Sequence, residues 1–121
     1  MNPHLNYAQA VRGKNDGRGT GILDSRHLVA ATDGLALLAG SSAWKSEEQK
    51  ALLTWLDAYN HWITESKNGK DERAAKNNHG SWYDAQIVHY ALVLGQFDRQ
   101  QIRRDAEHRL RERRAAAARS A

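Results

Sequence analysis

Between Ser46 and Ser66 apolar residues return at three- and four-residue intervals: Leu52, Trp55, Leu56, Tyr59, Trp62 and Ile63. That spacing puts them on one face of an α-helix, and a face so broad needs other helices to cover it. No segment sustains the apolar–polar alternation of a half-buried strand. The sole proline, Pro3, stands at the very start and interrupts no later element. The fold class expected is therefore all-α. With 121 residues the chain is one domain at most, yet long enough to bury a core.

Three further helices are expected. Leu28, Ala31, Leu35, Leu38 and Ala39 share a helical stripe that starts near Asp24, with Gly40 as its stop. Ser46-Glu47-Glu48-Gln49 has the form of a capping box, Ser46 accepting from the backbone and Gln49 reaching back. The helix it opens is expected to end near Ser66, because Asn68-Gly69 is a turn signal within a polar segment, 67–78. An apolar run from about Ser81 to Leu94 ends at Gly95, and Asp98 with Gln101 offers a second capping box. The last helix has only Ile102, Ala106 and Leu110 as an apolar stripe, so it reads as thin and solvated. Residues 1–21 are rich in Asn and Gly, lack apolar periodicity and read as extended or loop structure. Within them Gly17-Arg18-Gly19-Thr20-Gly21 has no preceding strand and no terminal Gly-Lys-Ser/Thr, which favours a tight turn over a phosphate-binding loop.

Charge is unevenly spread. Residues 99–121 hold eight Arg against three acids, whereas the first 98 hold ten Lys or Arg against eleven acids, so the net +4 resides in the tail. The tail could contact nucleic acid or an acidic partner. It has no aromatic residue for base stacking, and its arginines are interleaved with acids and alanines. A solvated helix is favoured over a nucleic-acid site. The change of composition near Gln100 also keeps open a non-catalytic remnant. No apolar run approaches the length of a membrane span, and the N-terminus lacks the pattern of a secretory signal. Without cysteine there are no disulfides or thiolate metal sites. His27, His61, His89 and His108 lack metal-ligand spacing and are read as structural; no metal is expected.

Chemistry concentrates in Asn77-Asn78-His79-Gly80-Ser81-Trp82-Tyr83-Asp84. In a loop leading into a helix near Ser81, Asn78 and His79 can converge on one ligand, and the free N–H groups of the helix start favour an anion. Trp82 and Tyr83 add flat rings suited to stacking on a sugar. His79 can move protons near neutral pH. On the residues alone, an Asn-His pair before a helix more often serves capping and core hydrogen bonding than catalysis. Trp55 and Trp62 read as core; Arg26 could point into a cleft and meet a substrate carboxylate, but a surface or an ion-paired arginine is favoured.

The run from Asn77 to Gln86 resembles the Asn-Asn-His-Gly-x-Trp-Tyr-Asp-x-Gln signature of the alginate lyase superfamily. Asn2-Pro3-His4-Leu5-Asn6-Tyr7-Ala8-Gln9 and Gly17-Arg18-Gly19-Thr20-Gly21-Ile22-Leu23-Asp24 are similar to the same family, in order. The resemblance covers about residues 2–98, so 1–98 is expected to be a partial lyase-like domain and 99–121 an Arg/Ala-rich helical tail outside it.

This resemblance implies part of an (α/α) toroid and cleavage of a uronic-acid polysaccharide, alginate or glucuronan, by β-elimination. Negative charge develops beside the uronate carboxylate when the C5 proton leaves, so groups that neutralise that carboxylate lower the barrier. By resemblance Asn78 and His79 are the catalytic residues there, with His79 acting also or instead as the base. Asn77, Trp82, Tyr83 and Arg26 are the expected substrate contacts, the partner being an anionic polysaccharide. The resemblance implies neither cofactor nor metal, and it implies a periplasmic or secreted location. The family's catalytic tyrosine and its arginine fall in a later motif that none of Tyr7, Tyr59, Tyr83 and Tyr90 matches. The chain is therefore expected to be a central fragment, prone to associate through uncovered apolar helix faces.

Overall fold

In the computed structural model, which describes residues 1–38, 41–95 and 99–119, the apolar stripe forms the inner face of one long helix. After a turn-rich segment come a 3-10 helix, Gly19–Arg26, and then α1 (His27–Leu38) and α2 (Ser46–Glu65). The helices α3 (Lys67–Arg73), α4 (Asn78–Leu94) and α5 (Arg99–Arg119) follow. Among the described residues there is no strand, only an isolated bridge between Val11 and Asn15. The expected all-α class is what is found.

Leu56, Tyr59, Trp62 and Ile63 of α2 are buried with Tyr83 and Tyr90 of α4 and Ile22 of the 3-10 helix. Burying each such side chain contributes roughly 1.5–3 kcal/mol. The aromatic rings order this core: Tyr59 stacks on Trp55 at 5.4 Å and meets Tyr90 edge-on at 5.6 Å. The N-terminal segment closes over α2, with Trp62 Nε1 donating to Asn6 Oδ1 at 3.0 Å and Trp55 Nε1 to the Met1 carbonyl at 2.7 Å.

A polar knot sits inside the apolar shell. Tyr59 OH donates to Ser25 Oγ at 2.5 Å, and Ser25 Oγ lies 2.6 Å from both the Ile22 carbonyl and Gln86 Oε1. Tyr90 OH reaches Gln86 Oε1 at 3.1 Å. Buried polar atoms are tolerated because each finds a partner, and this network joins the 3-10 helix to α2 and α4.

Several boundaries differ from the expectations. The first helical stretch begins as a 3-10 helix and becomes α only at His27. The cap of α2 is Lys45, not Ser46: its N–H donates to the Glu48 carboxylate at 3.0 Å. Lysine has no side-chain acceptor, so only half of a capping box forms. Segment 67–78 is not simply a linker, because 67–73 are helical; Ser66 Oγ accepts from Gly69 N–H at 3.0 Å and caps α3. Gly69 serves close approach rather than a turn, since a Cβ there would run into the Ile63 carbonyl. Gly95 closes α4 in the left-handed region, φ 63°, as its position suggested. Gly40, Ala39 and Asp98 lie outside the described residues, as do the side chains of Gln101, Ile102 and Ala106.

Candidate functional site

The site is built where α3 hands over to α4. Asn77 is extended (φ −114°, ψ −160°), and its Oδ1 accepts from His79 N–H at 3.1 Å. Asn77 is therefore the N-cap, and α4 starts at Asn78, three residues before the expected Ser81. This changes the geometry of the Asn-His pair. Adjacent residues on a helix point about 100° apart, so a ligand held by both Asn78 and His79 would have to sit across this first turn. Asn78 faces solvent, whereas His79 turns inward until its Nδ1 lies 2.7 Å from Glu72 Oε1. Glu72 is 2% exposed, and the His79 side chain keeps 22% of its surface.

The same divergence separates Trp82 from Tyr83. Trp82 shares the outer face with Asn78 and is 42% exposed, which leaves its ring open to a ligand. Tyr83 falls on the inner face below His79, 4% exposed, with its hydroxyl donated to the Ile63 carbonyl at 3.1 Å. Burial pushes the Tyr83 phenol up to about 12, so it holds its proton near neutral pH. Its ring is a packing surface here, because a helix that starts at Asn78 aims position 83 at the core. Arg26, half-buried at the end of the 3-10 helix, donates through Nη1 to the Leu23 carbonyl at 3.0 Å.

Asp84 and Gly80, both in the signature run, receive a role that the sequence reading lacked. Asp84 is 5% exposed, with Arg109 Nε at 2.9 Å and Arg113 Nε at 3.2 Å, both from α5. Arg113 also donates to the carbonyls of Ala75 and Arg73 after and at the end of α3. Gly80 leaves room for this guanidinium, since a Cβ there would collide with Arg113 and the Ala75 carbonyl. Alongside runs a groove of about 470 Å3 between the end of α3 and α5. Lys70, Arg73, Lys76, Arg109, Arg113 and Arg119 line it, against Glu112 as the acid. The i, i+3, i+6 spacing of Lys70, Arg73 and Lys76 was the signal in the sequence for this basic wall.

The other histidines are scattered over the fold. His89 Nε2 lies 2.5 Å from Thr32 Oγ1, His4 stacks on Trp62, and His108 is 3.4 Å from Glu112. His27 and His61 are exposed. No three His, Asp or Glu side chains converge as a metal site among the described residues. In the glycine-rich run, Arg18 N–H donates to the Ala8 carbonyl and Gly21 N–H to the Arg18 carbonyl. Gly17 N–H goes to Asn15 Oδ1. With those donors committed internally, the run leads into the 3-10 helix, which Gly19, Thr20 and Gly21 open, and is not arranged as a phosphate cradle.

The sequence model described as alginate lyase matches residues 1–118. A crystal structure of an alginate lyase from Bacteroides ovatus superposes with a TM-score of 0.82 at 34% identity. The match covers 89% of this chain and 29% of that enzyme, so the chain spans less than a third of its length. No curated protein matches. The helical architecture agrees with a fragment of the α/α toroid expected from the sequence.

Proposed function

This chain belongs to the alginate lyase family, and on that premise we propose that it carries the carboxylate-handling part of a site that cleaves a uronic-acid polysaccharide by β-elimination. The observation that carries the proposal is the first turn of α4, where an exposed Asn78 stands beside a half-buried His79 anchored to Glu72.

Each group has chemistry that suits the step. The base removes the C5 proton, electrons collect toward the carboxylate, and the bond to the leaving oxygen at C4 then breaks to leave an unsaturated uronate. The Asn78 amide can donate to the carboxylate as its charge grows. His79 sits within reach of the same turn as proton acceptor or second donor. The start of α4 adds the positive end of its dipole, and Asn77 holds the turn in place through its cap. Trp82 offers an open ring for a sugar face. Tyr83 is left out of substrate contact by its burial, whereas the half-buried Arg26 stays a proposed contact for a substrate carboxylate.

The basic groove beside α3 favours an anionic polysaccharide as partner. The proton for the leaving oxygen is not assigned to Tyr59, Tyr83 or Tyr90, all of which are buried. No described helix is long and apolar enough to cross a membrane; periplasmic or secreted location is proposed from family resemblance. The test is ultraviolet absorbance of unsaturated uronate on a panel of alginate, polyguluronate, polymannuronate and glucuronan. Absorbance that rises on one of these supports the proposal. A longer homologous protein containing this segment that stays silent on all of them sinks it.

A further inference from the structure

We propose that Glu72 is a positioning residue that fixes the tautomer of His79 and thereby makes it a proton acceptor rather than a hydrogen-bond donor toward substrate. The inference rests on the lyase reading for its catalytic meaning, but the Glu72–His79 pair itself does not.

Glu72 sits on α3, 2% exposed, with Oε1 2.7 Å from His79 Nδ1. An ionised carboxylate can only accept, so the shared proton belongs to Nδ1. Neutral imidazole carries one N–H, which leaves Nε2 with its lone pair. A buried carboxylate without a partner would be costly, and His79 is the partner that the structure provides.

Two helix caps hold the pair in register. Ser66 starts α3 and Asn77 starts α4, so Glu72 and His79 approach on backbones that are each tied at the N-terminus. The tautomer then decides between the two roles open to His79. With hydrogen on Nε2 the ring would donate to the uronate carboxylate, duplicating Asn78. With the lone pair there it can take the C5 proton, the C–H electron pair passing to the substrate. Glu72 keeps its charge throughout and stabilises the imidazolium that forms. The carboxylate is then left to Asn78.

Nitrogen NMR of the isotope-labelled imidazoles reads this directly. Recording it on the full chain in the solid state keeps self-association from interfering, and subtraction of a His79→Gln spectrum assigns the signal. The expected wild-type pattern, at a pH where the ring is neutral, is Nδ1–H with unprotonated Nε2. In Glu72→Gln the amide can donate to Nδ1, so the pattern should move toward Nε2–H. A wild-type Nε2–H pattern overturns the proposal, as does an unchanged pattern in a folded Glu72→Gln variant; the wild-type spectrum decides even where that variant does not fold. The tautomer is measured without substrate, so its failure is distinct from failure of the lyase reading. Where uronan cleavage is detected, Glu72→Gln should lower kcat on the order of 100-fold with KM nearly unchanged, and a loss confined to KM would count against the role.

Discussion

Arg113 of α5 places its Nε 3.2 Å from the carboxylate of Asp84 on α4, a residue of the signature run. The same guanidinium bonds the carbonyl of Ala75 just beyond α3, so one side chain ties three helices together. The Arg-rich segment is thus docked through two of its arginines while most of its remaining described surface stays solvated.

Asp84→Asn should loosen that docking. It removes the negative charge between Arg109 and Arg113 and leaves two partly buried cations facing each other. Breaking a buried pair costs about 3 kcal/mol or more. The loss should concentrate in α5, read as faster amide hydrogen exchange over 107–119 with little change in α2. Equal protection in both chains would contradict this coupling.

Asn78→Ala and His79→Ala should behave differently although the residues are adjacent. Asn78 is exposed, so its removal should change stability by no more than about 0.5 kcal/mol. Where cleavage is detected, turnover should fall on the order of 100-fold or more, as for loss of a group that stabilises developing charge. His79→Ala should cost activity and also stability, because it strands the buried Glu72 carboxylate. Thermal melts beside the ultraviolet assay separate the two.

Stability should collapse at high pH. Burial raises the phenols of Tyr59 and Tyr83 from 10 to about 12 and moves Tyr90 upward as well. Their folded-state pKa exceeds the unfolded value, so the stabilisation is complete below pH 10 and is lost as pH rises toward about 12. In that window each of these tyrosines removes about 1.4 kcal/mol per pH unit. Tyrosinate absorbance should appear together with loss of helical circular dichroism. Ionisation of all the tyrosines with the helices intact would contradict it.

Leu37, Leu38, Leu92 and Val93 remain exposed, as does Trp82. Such uncovered apolar surface should drive self-association of the isolated chain. Sedimentation velocity is expected to show species that grow with concentration. A monodisperse monomer with one sharp cooperative melt would refute that expectation.

Periodicity alone was enough to identify α2 and its inner face, because Leu56, Tyr59, Trp62 and Ile63 are apolar at helical spacing and have no other way to leave water. Gly95 was legible as a stop for a similarly local reason, its φ of 63° suiting glycine. The Asn77–Gln86 run marks the family by itself, since its residue order is the signal. Local rules could not decide where α4 begins, because Asn77 and Ser81 are both residue types that cap helices well, and the fold uses Asn77. That choice rotated Tyr83 into the core and Asn78 out to solvent. Nor could the sequence pair His79 with Glu72, or Asp84 with Arg109 and Arg113. Those partners lie on different helices, and only tertiary packing makes a buried carboxylate select the cation or imidazole that faces it.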